Sequence, residues 1–233
     1  MNPEIGIGRR AARGSANRLK LGLFGANCSS GRAVTMVPEH WSGSWTNCVR
    51  LAQMADQAGI EFMLPIGRWK GYGGDTDYQG ETWETVTWAC GLLAKTERLT
   101  VFGTVHAPLV PPLIAAKEFV TADHIGEGRF GLNVVCGWNE GEFEMFGATL
   151  RDHEARYDYA QEWLDIVKLA WSRHKDFRFR RAVLHIEGCA GQAQTLRRDT
   201  SVDHECRRIG DRAGLRDPQL RRAVFDDIAR HLV

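Results

Sequence analysis

No apolar run in this sequence approaches the roughly 20 residues that a helix needs to span a bilayer. The arginines of MNPEIGIGRRAARGSAN have no apolar stretch behind them, so a secretory signal is not expected. Residues 1–17 read instead as a mobile lead-in, and the chain is expected in the cytoplasm. Charge of one sign is also lacking. Thirty Lys and Arg against 29 Asp and Glu leave a formal net charge of +1, no field that would draw nucleic acid or an anionic membrane. The six cysteines form no C-x-x-C pair and have no histidine at zinc-finger spacing, so no metal centre is expected. They read as buried free thiols of a reducing compartment.

What is present is a regular alternation. RLKLGLFG, IEFMLPIG, LTVFGTV and RFGLNVVCG are short apolar strands. Between them lie helical patterns. Cys48, Leu51, Ala52 and Ala55 share one face and are closed by Gly59; Val86, Ala89, Cys90 and Leu93 share another. A third helix opens at Pro111 and Pro112, where first-turn amides are unpaired anyway. After the fourth strand, Trp163, Ile166, Val167 and Ala170 line up on a last helix. Near-continuous apolar strands joined by helices imply a parallel sheet buried on both faces. Two architectures fit, an open doubly wound sheet and a (β/α)8 TIM barrel. The first strand lacks a G-x-G-x-x-G after it, which weakens the dinucleotide-binding form of the former. Long polar and aromatic loops after the strand ends suit the barrel rim.

Several residues at those strand ends could carry chemistry. Asn133 interrupts an apolar strand and needs a hydrogen-bond partner, either within a core or on a ligand facing the barrel interior. His106 ends the third strand, where a histidine is either structural or part of a site. Arg68, Trp69 and Lys70 follow the second strand. They form either a surface loop or a cluster that meets an anion or a planar ring. Glu140, Glu142 and Glu144 have, on spacing alone, the pattern of a solvated helix start. Arg156 and Tyr157 open the last helix, to hold an anion at its N-terminus or to cap it.

GTVHAPLVPPLIAAKEFVTADHIGEGRFGLNVVCGWNEGEFEMFG resembles the core of the bacterial luciferase-like flavin-dependent monooxygenases, in the group of alkanesulfonate, dimethyl sulfone and pyrimidine monooxygenases. FMLPIGRWKGYGG and HEARYDYAQEWLDIVKLAW support it, and together the similarity spans residues 18–177. The resemblance implies a (β/α)8 barrel of which about the first four β/α units are present. It implies reduced FMN as cofactor, O2 as co-substrate and a small sulfur- or nitrogen-containing organic substrate. A separate NAD(P)H:flavin reductase would supply the flavin, and such proteins are commonly homodimers. Matched position by position, Gly67 and Arg68 fall on a flavin-contacting pair. Asn133 falls on the residue that touches the isoalloxazine edge, Glu142 on an acidic flavin-site residue, and Arg156 and Tyr157 on the pair that holds the FMN tail. His106 falls on a rim histidine of the active site. Two alternatives remain, a deazaflavin-dependent oxidoreductase on the same barrel and an inactive fragment of a decayed gene.

From Arg178 the composition changes. Twelve of the last 56 residues are Arg, none is Lys, and all eight Trp lie earlier. Asp and Glu are interspersed and no stacking aromatics accompany the arginines, which argues against a nucleic-acid arm. Codons compatible with RFRRAVLHIEGCA and GQAQTLRRDTSVDHECRRIG, read one base later, can spell segments typical of the family. The expectation is a frameshift near Phe177, an aberrant tail over residues 178–233, and a chain that is poorly folded or aggregates, because sheet edges and apolar faces stay unpaired, and that binds FMN weakly.

Overall fold

The computed structural model describes residues 17–172 and 177–189. All of these fall within the compact unit Met1–Leu196; the second unit, Arg197–Val233, lies outside the described residues. So does the expected lead-in except for Asn17, whose side-chain amide donates to Glu61 Oε1 at 2.7 Å.

Four strands, β1 (Gly22–Phe24), β2 (Phe62–Leu64), β3 (Thr100–His106) and β4 (Phe130–Val135), pair in parallel in the order β1-β2-β3-β4. That order decides between the two architectures. A doubly wound sheet reverses its strand order at a switch point, whereas a (β/α)8 barrel adds each strand beside the last. Helices α1 (Trp45–Ala58), α2 (Thr85–Leu93) and α3 (Pro112–Ile125) make the crossovers, and α4 (Glu140–Met145) and α5 (His153–Ser172) follow β4.

The helices start and stop where local chemistry dictates. The Ser44 hydroxyl accepts from the Asn47 amide to cap α1, and Gly59 ends it at φ 78°, a left-handed geometry that glycine adopts without strain. The Glu84 carboxylate caps α2 through the amides of Val86 and Thr87. Cys48, Ala52, Met63, Leu92, Leu99 and Val101 form the centre of the core between α1, α2 and the sheet. Two buried ions brace the bottom of this layer. The Asp56 carboxylate accepts from the amides of Glu97, Arg98 and Leu99, and the Arg129 guanidinium donates to the carbonyls of Leu93 and Leu99. Each satisfies backbone groups that a short loop would leave unpaired.

The sequence shows no core-building period beyond residue 176, yet residues 177–189 form a hairpin. Strand β5 (Phe177–Arg180) pairs antiparallel with β6 (His185–Cys189), with Phe177, Phe179 and Cys189 buried. The alternation is four residues long, too short to register as a period. Glu162 of α5 accepts from the amides of Val183 and Leu184 and so holds the hairpin turn. The remainder of the tail, from residue 190, lies outside the described residues.

Candidate active site

The loops at the carboxyl ends of the strands converge on one carboxylate. Glu142, the third residue of α4, is 2% exposed, whereas its neighbours Glu140 and Glu144 face solvent. The solvated helix start expected from spacing therefore holds for two of the three acids and fails for Glu142. A turn of helix puts the flanking acids on the outer face and the middle one on the inner face. Glu142 Oε1 accepts from the amides of Trp69 and Lys70, at 2.8 and 3.2 Å, and from the Arg68 guanidinium at 3.3 Å. The loop after β2 is thus wrapped around a carboxylate delivered from beyond β4.

Arg68 is no surface residue, since its side chain is 7% exposed. Besides Glu142 it donates to Gln79 Oε1 and the Tyr72 hydroxyl, and its guanidinium lies over the rings of Tyr72 and Trp138. Gln79 is itself buried at φ 57° and donates to the Gly31 carbonyl, so the Arg68 fork is held from three sides. A non-glycine residue held in left-handed backbone geometry is a strained position retained by its surroundings.

His106 closes β3 with its side chain 6% exposed, and its Nε2 stands 4.0 Å from Glu142 Oε2. Gly67 lies against it. A Cβ on Gly67 would come within 2.9 Å of His106 Cε1, so the glycine is required for the close approach. Burial, with a smaller push from the Arg68 charge, lowers the His106 pKa to about 4, and the neighbouring Glu142 opposes the shift only in part. The imidazole is therefore neutral near pH 7. Among the described residues neither ring nitrogen is within hydrogen-bonding distance of a partner.

Asn133 is half-buried, on β4 directly beside Thr104 of β3. Its amide donates to the Thr104 hydroxyl at 3.2 Å, and that hydroxyl donates to the Pro65 carbonyl at 2.7 Å. Thr104, two residues before His106 and on the same strand face, escaped sequence reasoning. The period-2 pairing of Thr104 with His106 was the available signal. Buried Asn27 was also missed; it clamps the backbone of Ile66 from the end of β1, accepting from its N–H and donating to its carbonyl, each at 2.8 Å. Nothing in the local pattern marks it.

Arg156 donates to the carbonyl of Gly137, which itself sits at φ 77° with Phe143 packed where a Cβ would go. The Arg156 Nε is buried without a hydrogen-bond partner. Tyr157 sets its ring 5.0 Å from that of His153. Arg68 and His106 thus flank Glu142, Gly67 lies against His106, Asn133 joins them through Thr104 of β3, and Arg156 approaches through the Gly137 turn. A cavity of about 410 Å3 opens beside this group, lined by Arg68, Thr82, Glu84, Thr85, Thr104 and His106 among others. That volume is in the range of small-ligand sites.

A family profile described as luciferase-like monooxygenase matches residues 19–198. The chain belongs to the luciferase-like monooxygenase family. Pyrimidine monooxygenase RutA of Acinetobacter baylyi is 31% identical over 156 residues, which are 66% of this chain and 42% of the relative. Among solved structures, a riboflavin lyase with modified FMN and riboflavin superposes with a TM-score of 0.68 at 21% identity, covering 78% of this chain and 48% of the other. The EDTA monooxygenase of Chelativorans sp. BNC1 gives 0.66 at 17% identity, covering 77% and 48%. These likenesses carry the barrel fold, of which the four parallel β/α units are part. The chain spans less than half the length of these relatives. Among the described residues no helix is long and apolar enough to cross a membrane, and no group of three His, Cys, Asp or Glu could hold a metal ion.

Proposed function

We propose that these residues form part of the flavin and substrate site of an oxygenase that uses reduced FMN and O2. The observation that carries the proposal is the buried group around Glu142: a neutral His106 with two unpartnered ring nitrogens, beside a guanidinium whose charge is already compensated. The donor set fits a flavin. Asn133 offers the uncommitted carbonyl of its amide, His106 a donor and an acceptor, and Arg156 a buried N–H without a partner. A ring edge carrying both N–H and C=O groups would satisfy Asn133 and His106, and an oxygen of the tail the Arg156 N–H. Bound reduced FMN would supply the electrons and the reaction with oxygen. The chain's own residues would orient the ring, with Asn133 and His106 at its edge and Arg156 and Tyr157 toward its tail. Gly67 keeps the backbone close, and Glu142 holds Arg68 and the loop after β2 in place. Reduced flavin would come from a separate NAD(P)H:flavin reductase.

The same electrostatics favour a neutral substrate. Arg68 is the only cation among the described residues lining the cavity, and Glu142 pairs with it while Glu81 and Glu84 add negative charge. A sulfonate would find no uncompensated positive charge there. A neutral planar nitrogen heterocycle would meet the imidazole and the rim aromatics Trp69, Tyr72 and Trp138, and the similarity to a pyrimidine monooxygenase agrees with that choice. The test supplies the 233-residue chain with FMN, a flavin reductase and NADH and follows substrate loss and the hydrogen peroxide formed per O2 consumed. Loss of uracil with a matching fall in peroxide, and no such loss of an alkanesulfonate, supports the reading. FMN binding with neither substrate lost would remove the oxygenase assignment, and no FMN binding would remove the site.

A further inference from the structure

A second cavity, of about 400 Å3, lies beside the first and is lined by Trp45, Trp83, Glu84, Thr87, Trp88 and Gly91. Trp83 and Glu84 line both cavities and form the wall between them. The rings of Trp45 and Trp83 stand 72° apart with centroids 6.5 Å from each other, two sides of a box, and Trp88 adds a third indole. Trp45 and Trp83 are 39% and 44% exposed, unusually open for indoles that share a wall. Neither is loosely held. The Trp83 Nε1 donates to the Gly43 carbonyl at 2.6 Å, and the Trp45 ring lies where a side chain on Gly91 would have to go.

The charge around the box is negative. Among the described residues lining it, Glu84 is the only acid and there is no Lys or Arg. Glu118 of α3 is near enough to feel that charge: its carboxyl pKa is raised, first by burial and then by Glu84. The carboxylate is partly committed, since each of its oxygens accepts one backbone N–H, from Val86 and Thr87 at 2.9 and 2.6 Å. Among the described lining residues the exposed Thr87 hydroxyl is a further acceptor.

We infer that this box is a binding site for a small quaternary ammonium group, separate from the flavin and substrate site. A tetraalkylammonium ion makes no hydrogen bonds, is weakly hydrated, and binds by its charge against indole faces and a nearby carboxylate, which is what the box provides. A primary ammonium would have to surrender its water for a carboxylate already shared with two backbone amides and for one hydroxyl, and a neutral ligand of the same shape would gain only the apolar contact. The inference does not depend on the flavin reading, because none of Trp45, Thr87, Trp88 and Gly91 lines the His106 cavity.

The test is calorimetric titration of the full 233-residue chain with three probes: tetramethylammonium, methylammonium, and the neutral isostere neopentyl alcohol. Tetramethylammonium should bind about fivefold more tightly than either of the others, the discrimination expected of a cation–π contact on partly exposed indoles. Trp83→Leu should abolish the difference by removing one wall. Because that variant also disturbs the tether to Gly43, Thr87→Lys serves as the second. It places a cation at the mouth from an exposed position and should abolish tetramethylammonium binding with the fold intact. Equal binding of the alcohol, equal binding of methylammonium, or undiminished binding to Thr87→Lys would each overturn the assignment, as would no binding of tetramethylammonium.

Discussion

His106 should make the stability of this protein depend on pH in a defined window. Its folded-state pKa is lowered from the ordinary 6.5 to about 4, so on acidification the unfolded chain takes up the proton first. Stability is therefore whole above about pH 7 and is lost as pH falls through 6.5 toward 4, below which this contribution is constant. Between about pH 7.5 and pH 5 the loss from this residue alone comes to about 2 kcal/mol. A surface histidine would contribute almost nothing over the same range. The assay is urea unfolding of wild type and His106→Gln at several pH values within that range. The carboxylates away from this site are common to both proteins, so their contribution cancels in the difference. The wild-type curve should fall by about 2 kcal/mol more than that of the variant. The imidazole Cε1–H resonance, assigned by its loss in His106→Gln, should keep its neutral position down to about pH 5. Parallel stability curves, or a titration midpoint near 6.5, would refute the argument that burial outweighs the Glu142 carboxylate at this site.

Glu142→Ala would strip the partner from a nearly buried guanidinium and free two loop amides; a loss of about 3–5 kcal/mol in urea unfolding is expected. Glu142→Gln keeps an acceptor for the amides and should cost less, and a near-neutral alanine variant would show that the loop after β2 does not depend on this carboxylate. Resequencing the gene across the codons of residues 170–233 tests the proposed frameshift near Phe177. An open, family-like second frame supports it, and a closed one removes it.

Much of this protein could be read from local pattern. The four apolar strands, the glycine that ends α1 and the prolines that open α3 are set by neighbours in the chain, and period and capping report them directly. Spacing could also place Arg68, His106 and Asn133 at the ends or on the faces of strands. It could not show that they meet. Glu142 is 74 residues from Arg68, and the sequence around it is that of an exposed acidic helix start; only the return of the chain past β4 buries it against the loop after β2. The same holds for Asn27 and Gln79, ordinary polar residues whose partners lie 39 and 48 positions away. The hairpin of residues 177–189 likewise depends on Glu162, a helix residue that satisfies its turn amides. Sequence by itself determined the order of strands and helices along the chain, because that follows from short-range periodicity; periodicity left two architectures open, and the strand order of the sheet chose the barrel. Tertiary structure decided which charges are buried, which are compensated and that both ring nitrogens of His106 are left, among the described residues, without a hydrogen-bond partner. Those properties depend on long-range contacts and on the water that folding excludes from them.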